Sequence, residues 1–318
     1  MASVTVIIVL YNGRRWIDAC LSSVLATDYP NFRALVVDNA STDGGAAYLR
    51  ERFPDVEMIA SPVNVGFAEG NNIGIRRALA QGRRYLVLLN QDTVVTPSWL
   101  IELVRAAEAN PDAGILNPLL RNYEDTDLDR VFRELADRNE AFRRDLTAGS
   151  PGPFYDLPKA NGAAMFVRRE VFERVGLFDP LYFAYFEETD LCRRAALAGY
   201  RIGAAPRSVV RHWRATAHPE LMSWRIRHLS VRNEFLFTLK NPGQGLMRNV
   251  LDYARLSLTR RYAGLTRRRL AAHMALTHLW IARHFFCIMR RRREERRMIE
   301  AARSGVRRDP QMGADERR

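Results

Sequence analysis

The sequence predicts a doubly wound α/β fold, a mostly parallel sheet flanked by helices, continued at its C-terminal end by a basic helical extension. Three observations predict it. Apolar, β-branched runs of strand length alternate four times with helical stretches between residues 4 and 110, the order that builds parallel sheets. Each of the first four runs leads into polar side chains, Tyr11-Asn12, Asp38-Asn39, Asn64 and Asn90-Gln91-Asp92. The net charge of +13 is concentrated in residues 255–318, which hold 18 arginines and 6 acidic residues, while the first 254 residues nearly balance.

The elements follow in order. Residues 4–10, Val-Thr-Val-Ile-Ile-Val-Leu, are β-branched and apolar and form the first buried strand. Helix is expected over 16–25, strand over 32–37, and helix again over 45–52 after the loop Asp38-Asn39-Ala40-Ser41-Thr42-Asp43-Gly44. A weaker strand over 56–60 precedes Pro62 and Asn64; Gly66-Phe67-Ala68-Glu69-Gly70-Asn71-Asn72 then opens a helix reaching residue 81. Residues 86–89 are apolar without a break, as in a strand covered on both faces. Thr96 and Pro97 are read as the cap and first position of the next helix. Residues 121–157 are charged, lack strong periodicity and end in Gly149-Ser150-Pro151-Gly152-Pro153, which predicts a mobile loop or lid. Strand resumes over 161–167, with small residues at its start that let a ligand or another backbone approach. Leu191, Ala195 and Ala198 keep helical spacing ahead of the terminator Gly199.

Strand tips in a parallel sheet share one edge, so these polar residues gather at the crevice where such folds bind nucleotides. Asp92 ends its strand there as a hard oxygen donor suited to a divalent cation held with a substrate phosphate, although an Asp in that position also starts turns. A second acidic cluster, Glu187, Glu188 and Asp190, opens a short helix behind Tyr185-Phe186. Acids there complement a helix dipole. The two aromatics also imply partial desolvation, which raises a glutamate toward the range of a general base. His212 closes the run 208–213 and is a hydrogen-bonded structural residue unless Asp92 already holds a metal.

Other classes lose ground. No stretch reads Gly-x-x-x-x-Gly-Lys-Ser/Thr, and none gives Gly-x-Gly-x-x-Gly after a strand, which argues against P-loop hydrolysis and hydride transfer. Cys20, Cys192 and Cys287 match neither a zinc spacing nor a disulfide framework, and a reducing cytosol fits them. The first apolar run has strand length and no preceding basic residue, so it is not read as a signal peptide. No apolar run is long enough for a spanning helix.

Together these residues resemble the family 2 glycosyltransferases of GT-A fold, especially the bacterial rhamnosyltransferase-like branch. The matching stretches, in the family's order, are Val6-Ile7-Ile8-Val9-Leu10-Tyr11-Asn12, Val36-Val37-Asp38-Asn39-Ala40-Ser41-Thr42-Asp43, Asn64-Val65-Gly66-Phe67-Ala68-Glu69-Gly70-Asn71-Asn72, Leu88-Leu89-Asn90-Gln91-Asp92, Gly176-Leu177-Phe178-Asp179, and Tyr185-Phe186-Glu187-Glu188-Thr189-Asp190-Leu191-Cys192-Arg193. They span residues 4–215. The resemblance implies a GT-A type, Rossmann-like sheet and an inverting, metal-dependent sugar transfer. The donor would be a dTDP- or UDP-sugar, dTDP-rhamnose first, and the acceptor a hydroxyl of a lipid-linked or growing cell-surface glycan.

The resemblance also implies roles. Tyr11, Asn12, Asp38, Asn39, Gly66, Asn71, Asn90 and Gln91 would line the donor site, with Asp38 on the base or ribose. Asp92, last residue of an Asp-x-Asp-type motif, would bind Mg²⁺ or Mn²⁺ on the diphosphate, and His212 would complete the metal site. Asn90 departs from the motif's first Asp and removes one charge. Glu188 falls where related enzymes put the catalytic base, with Glu187 and Asp190 as supporting acids and alternatives for that role.

The implied division is a catalytic domain over 1–220, with a nucleotide-sugar half at 1–120 and an acceptor half at 158–220, then a helical extension over 221–303 and a disordered tail over 304–318. Residues 270–289 hold Trp280, Phe285 and Phe286 among three histidines and Arg283, and run into Arg290-Arg291-Arg292-Arg293. They would either lie on an anionic membrane, keeping the protein peripheral on its cytoplasmic face, or pack on the catalytic domain. A nucleic-acid partner is not expected, because the body is neutral and carries no base-reading module. A sugar nucleotidyltransferase and a catalytically idle sugar-nucleotide-binding scaffold are the competing functions. No oligomeric state is implied.

Overall fold

The computed structural model describes residues 1–213, 223–261 and 266–304. The first half is β1 (Val4–Leu10), α1 (Arg14–Leu25), β2 (Phe32–Asp38), α2 (Gly45–Arg52), β3 (Glu57–Ala60), α3 (Gly66–Ala80) and β4 (Tyr85–Asn90). These four strands are parallel, with Val4 opposite both Phe32 and Tyr85. Their C-terminal tips therefore meet along one edge, as the sequence implies.

The second half is β5 (Thr93–Val95), α4 (Trp99–Ala109), β6 (Ala113–Asn122), α5 (Arg130–Ala136), α6 (Glu140–Thr147), β7 (Tyr155–Asp156), β8 (Ala164–Arg168), α7 (Arg169–Val175), a 3₁₀ turn (Pro180–Tyr182), α8 (Glu187–Leu197) and β9 (Arg201–His212). The strand order is β3-β2-β1-β4-β8-β6-β9-β5, with β7 beside β9. Here the sheet is mixed. β8 runs antiparallel between β4 and β6, β6 and β9 are parallel to each other, and β5 and β7 oppose β9. Because β8 is reversed, its start rather than its end meets the tips: Ala164 pairs with Leu89, and Asn90 N–H donates to Ala163 O at 2.9 Å.

Both faces of the sheet are covered, which is why its strands read as nearly unbroken apolar runs. Val4, Val6, Ile8 and Leu10 point to the face under α1 and α4, and Ile7 points to the face under α3, α7 and α8, the period-two alternation of a strand. A third cluster, including Tyr182, Leu236, Leu239, Ile281 and Ile288, joins this body to α9 (Trp224–Lys240), α10 (Leu246–Thr259) and α11 (Arg267–Arg303).

Two expectations are corrected, the loop over 121–157 and the Thr96 cap. The 121–157 stretch is folded: Asp129 accepts from the Val131 and Phe132 amides at 3.0 Å and caps α5, while Asn139 accepts from Phe142 N–H at 3.1 Å and caps α6. Phe132 and Phe142 are fully buried, and Phe142 stacks on Tyr155 with ring centroids 4.4 Å apart. In α5 the buried positions Phe132, Leu135 and Ala136 fill a single turn, and α6 buries only Phe142, so the apolar pattern is too short to stand out among the charges. Nor does Thr96 cap α4: its hydroxyl donates to Val209 O at 3.3 Å, and the helix starts at Trp99. Residues 270–289 belong to α11, which packs Ile281, Ile288 and Met289 inward against α9. Of the arginine run after it, Arg292 is buried and donates to Asn241 O at 3.2 Å. Among the described residues no helix is long and apolar enough to cross a membrane. The disorder expected over 304–318 falls, apart from Ser304, outside the described residues.

Phe142→Ala is expected to cost about 3–5 kcal/mol of stability, as for a buried aromatic in a packed core. A fall in the urea unfolding midpoint would register it; a silent substitution would mean that α6 does not dock.

Candidate active site

The donor edge is built by side chains that imitate backbone. Tyr11 N–H donates to Gln91 Oε1 at 2.9 Å and Gln91 Nε2 donates back to Tyr11 O at 3.1 Å, extending the β1–β4 pairing one step beyond the strands. Asn12, with φ 47°, accepts from Thr42 N–H at 2.8 Å, and Asp38 accepts from Ser41 N–H at 3.1 Å. Asn39 is buried and works as framework: its amide donates to Asn64 Oδ1 and Gly66 O and accepts from Val65 N–H at 2.9 Å. Asn71 is likewise buried, donating to Phe67 O at 2.9 Å. Gly66 has φ +86°, and a Cβ there would lie 2.6 Å from the Phe183 ring. Of the residues expected to line the donor site, Asn39, Gly66 and Asn71 thus shape the loops around it.

At the next tip, Asp92 and His212 come together. Thr93 of β5 pairs with His212 of β9, and Trp213 N–H donates to Asp92 O at 2.9 Å. The pairing leaves His212 Nε2 3.6 Å from Asp92 Oδ1 and 3.4 Å from the Asn90 amide nitrogen. On its other side, His212 Nδ1 lies 3.4 Å from Asp129 Oδ2. A carboxylate behind Nδ1 fixes the tautomer and ring orientation, the usual backing of a metal-binding imidazole. Asn90 Oδ1 is buried without a hydrogen-bond partner. One nitrogen, one carboxylate and an orphaned amide oxygen fit a divalent cation that takes its other ligands from phosphate and water. Among the described residues no group of three or more His, Cys, Asp or Glu could hold a metal without such help.

The acidic side of the cleft is set by a strained turn. Phe183, Tyr185 and Phe186 have φ of 62°, 73° and 73°, a region that bulky residues rarely occupy. Asn233 of α9 pins this turn by donating to Tyr182 O, Ala184 O and Tyr185 O at 2.8, 2.8 and 2.7 Å. Arg232 donates to Leu181 O and Tyr182 O. The turn starts α8 so that Glu187 and Glu188 line a cleft of about 280 Å³ with Asn90, Asp92, His212 and Lys159. Glu188 Oε1 accepts from the Thr189 hydroxyl at 2.8 Å and lies 3.7 Å from Lys159 Nζ. Glu187 is buried with Oε2 unpartnered, and burial, then the neighbouring Glu188 charge, pushes its carboxyl well above the ordinary range.

Asp190, expected as a supporting acid, is not among the residues that line this cleft. It is fully buried and accepts from Arg193, Arg194 and Tyr182 at 2.9, 2.9 and 3.1 Å, with Lys240 Nζ at 3.2 Å. Burial alone would raise it, but Lys240 and the two arginines hold its carboxyl far below the usual range. It is an internal anion one turn along the helix from Glu187, directed to Lys240 and not lining the cleft.

Four contributors escape the sequence reading. Asp129 hides in the charged 121–157 stretch, where only the helix-start pattern Asp129-Arg130-Val131-Phe132 marks it. Lys159 is a single polar residue with no local motif, Asn233 sits in a stretch, 222–242, that resembles the family's following helix but gives no sign of its reach to the turn, and Thr189 is a small polar residue between acids.

The mixed open sheet flanked by helices has the architecture of the GT-A glycosyltransferases, and solved enzymes of that fold superpose on it. The mannosyltransferase PcManGT from Pyrobaculum calidifontis, solved with GDP-Man and Mn²⁺, matches with a TM-score of 0.56 at 20% identity, over 95% of this chain and 86% of that one. S. aureus TarS 1-349, in complex with UDP, matches with a TM-score of 0.53 at 14% identity, over 95% and 92%. The chain belongs to glycosyl transferase family 2, whose model matches residues 5–176, and it is a glycosyltransferase. Among its curated relatives is the N-acetylglucosaminyl-diphospho-decaprenol L-rhamnosyltransferase of Mycobacterium tuberculosis, 29% identical over 240 residues that cover 66% of this chain and 76% of the relative. The dTDP-rhamnosyl transferase RfbF of Shigella flexneri is 26% identical over 223 residues, 66% and 72% of the two chains.

The buried Glu187 makes stability depend on pH. Its folded pKa stands above the ordinary 4.5, so its favourable contribution is full below that value and is lost as pH rises through the folded one. Glu187→Gln should therefore flatten the decline in melting temperature as pH rises above the ordinary glutamate range and melt higher than the parent on the alkaline side. An unchanged pH profile would contradict a buried, unpaired carboxyl.

Proposed function

We propose that this glycosyltransferase moves L-rhamnose from dTDP-rhamnose, with inversion, to a hydroxyl of a lipid-linked diphospho-sugar or growing cell-surface glycan. The observation that carries the mechanism is the opposition, within one cleft, of Asp92 and His212 to Glu188. The rhamnosyltransferase relatives carry the choice of sugar, and the decaprenol-linked substrate in the name of one of them suggests the acceptor class.

In this reading the donor's nucleoside lies along the β1–β2 tips by Tyr11, Asn12 and Asp38, and its diphosphate reaches Asp92. Mg²⁺ or Mn²⁺ held by Asp92 and His212 would neutralise charge on the leaving nucleoside diphosphate. Asn90 presents an amide where a second carboxylate would add charge, and Asp129 keeps the imidazole of His212 turned to the cleft. Glu188 takes the proton of the acceptor hydroxyl as that oxygen attacks the anomeric carbon and the diphosphate departs. Thr189 and Lys159 orient its carboxylate. One displacement on the face opposite the leaving group inverts the anomeric centre. Val131 at the start of α5 also lines the cleft, so the folded 121–157 segment closes one side and helps keep water from the activated sugar.

Calorimetric titration with dTDP-, UDP- and GDP-sugars, first with Mn²⁺ and then with chelator, tests the donor assignment. Binding of dTDP-rhamnose that needs the metal is the expected result, and a preference for another donor would replace rhamnose. Asp92→Ala should abolish the metal-dependent part of that binding; binding that stays intact removes Asp92 from the metal site.

Glu188→Gln should leave the donor Kd unchanged while lowering kcat about a hundredfold or more, the usual worth of a general base. Near-normal turnover would transfer that role to Glu187.

A further inference from the structure

The exposed apolar surface is unevenly distributed. Among the described residues, most of the large hydrophobic side chains open to solvent lie in the C-terminal helices, and α10 carries the densest group. Its inward side is fixed. Asn249 donates to Leu239 O and Asn241 O at 3.0 and 2.8 Å, and Tyr253 meets Phe235 edge-on at 5.1 Å and shares a 2.5 Å hydrogen bond with His278 of α11. Its outward side reads Met247, Val250, Leu251, Ala254 and Leu258, which keep the spacing of one helical face. Met247 is 73% exposed, Leu251 58% and Leu258 78%. A soluble helix docked by one face normally turns polar residues to water on the other; here the outer face is apolar.

That face is bordered by cations. Arg248 and Arg255 flank the stripe on α10, and Arg260 and Arg261 follow its last turn, all exposed. On the adjoining helix α11, Leu279 and Phe286 are 68% and 87% exposed and alternate along one face with exposed Arg283 and Arg290. Apolar side chains edged by arginines match the two layers of an anionic lipid surface, acyl chains below and phosphates above. A second copy of this chain is the poorer occupant, since residues 255–318 hold 18 arginines against 6 acidic residues and would meet their own charge. The stripe also differs from a polyanion groove, where apolar residues of this size would have nothing to bury against.

We propose that the outer faces of α10 and α11 form a docking surface for an anionic bilayer, with α10 lying in the interface plane. This goes beyond the sugar-transfer reading and does not depend on which donor or acceptor the cleft takes. It also differs from a membrane role for residues 270–289 alone, because their inward half is occupied by α9 and the larger apolar stripe is on α10.

Flotation of the full chain with vesicles of phosphatidylcholine, with and without phosphatidylglycerol, tests it without any turnover. Binding to the anionic vesicles should exceed binding to the neutral ones by roughly tenfold or more, as expected when several arginines approach a charged surface. The double variant Met247→Asp/Leu251→Asp, altered only at exposed positions, should lose most of that binding while its melting temperature and circular dichroism stay those of the parent. Arg255→Gln should weaken binding to anionic vesicles and leave the residual affinity for neutral ones unchanged. Undiminished binding by the double variant, equal binding to both vesicle types, or no binding to either would overturn the proposal. So would a dimer of the parent chain that Met247→Asp/Leu251→Asp dissociates in the absence of lipid, since that would assign the face to a second copy.

Discussion

Lys240 lies fully buried among Asp179, Asp190 and Glu295, with its ammonium 2.9 Å from Asp179 and 3.2 Å from Asp190. Arg194, also buried, donates to Asp190 and lies 3.6 Å from Glu295. A charge taken out of water at this depth survives only with partners at contact distance, and removing one member of such a group costs about 3–5 kcal/mol because the others are left uncompensated. The members come from four places in the chain: the turn before the 3₁₀ segment, α8, α9 and α11. The cluster therefore fixes their mutual positions more tightly than apolar contact could, since ions tolerate little displacement in a low dielectric. Burial would neutralise Lys240 on its own, but Asp179 and Asp190 keep its pKa above the ordinary lysine value.

The candidate site inherits this rigidity. Asp190 stands on α8 within one turn of Glu187 and Glu188, so the anchor of the helix and the groups it presents belong to a single rod. Asn233 and Arg232, further along the same α9 that carries Lys240, hold the left-handed turn from which α8 starts. The strain in Phe183, Tyr185 and Phe186 is thus held in place through the carbonyls of Leu181, Tyr182, Ala184 and Tyr185. On the opposite wall, Gln91 and Tyr11 tie two strand tips together while Asp129 steadies His212. Both walls are held by side-chain amides and carboxylates serving as framework, and few of the polar residues at the cleft are free of a structural duty.

Much of this was legible in the sequence, and the boundary is a physical one. The parallel strands announced themselves because burial on both faces leaves unbroken apolar runs, as in 86–89, and the tips followed from chain direction alone. Asp92, Glu187, Glu188 and His212 stood out because each ends or begins a regular element. The reversal of β8 was invisible, since a strand's direction leaves no mark on its composition. The folded 121–157 segment left little mark because α5 buries apolar residues over one turn only, Phe132, Leu135 and Ala136, and α6 buries Phe142 alone. Asp190 looked like its neighbours in a run of acids; only the direction of its side chain, toward Lys240 and 50 residues away from it in sequence, separates an internal anion from a group facing the cleft. Contacts of that range are specified by the fold as a whole.

The same cluster bears on how the chain divides. A boundary near residue 220 follows the end of β9 and looks like a natural place to cut. Yet Asn233, Lys240 and Glu295 all lie beyond it, and each reaches back to the segment that sets α8. The family model matches residues 5–176, which end ahead of both α8 and these helices. The acidic helix is consequently tied to α9 and α11: a fragment ending at 220 would keep the nucleotide edge and lack Asn233, Lys240 and Glu295. Exchange of C-terminal segments between related enzymes would have to move Asp179, Asp190, Lys240 and Glu295 as one set.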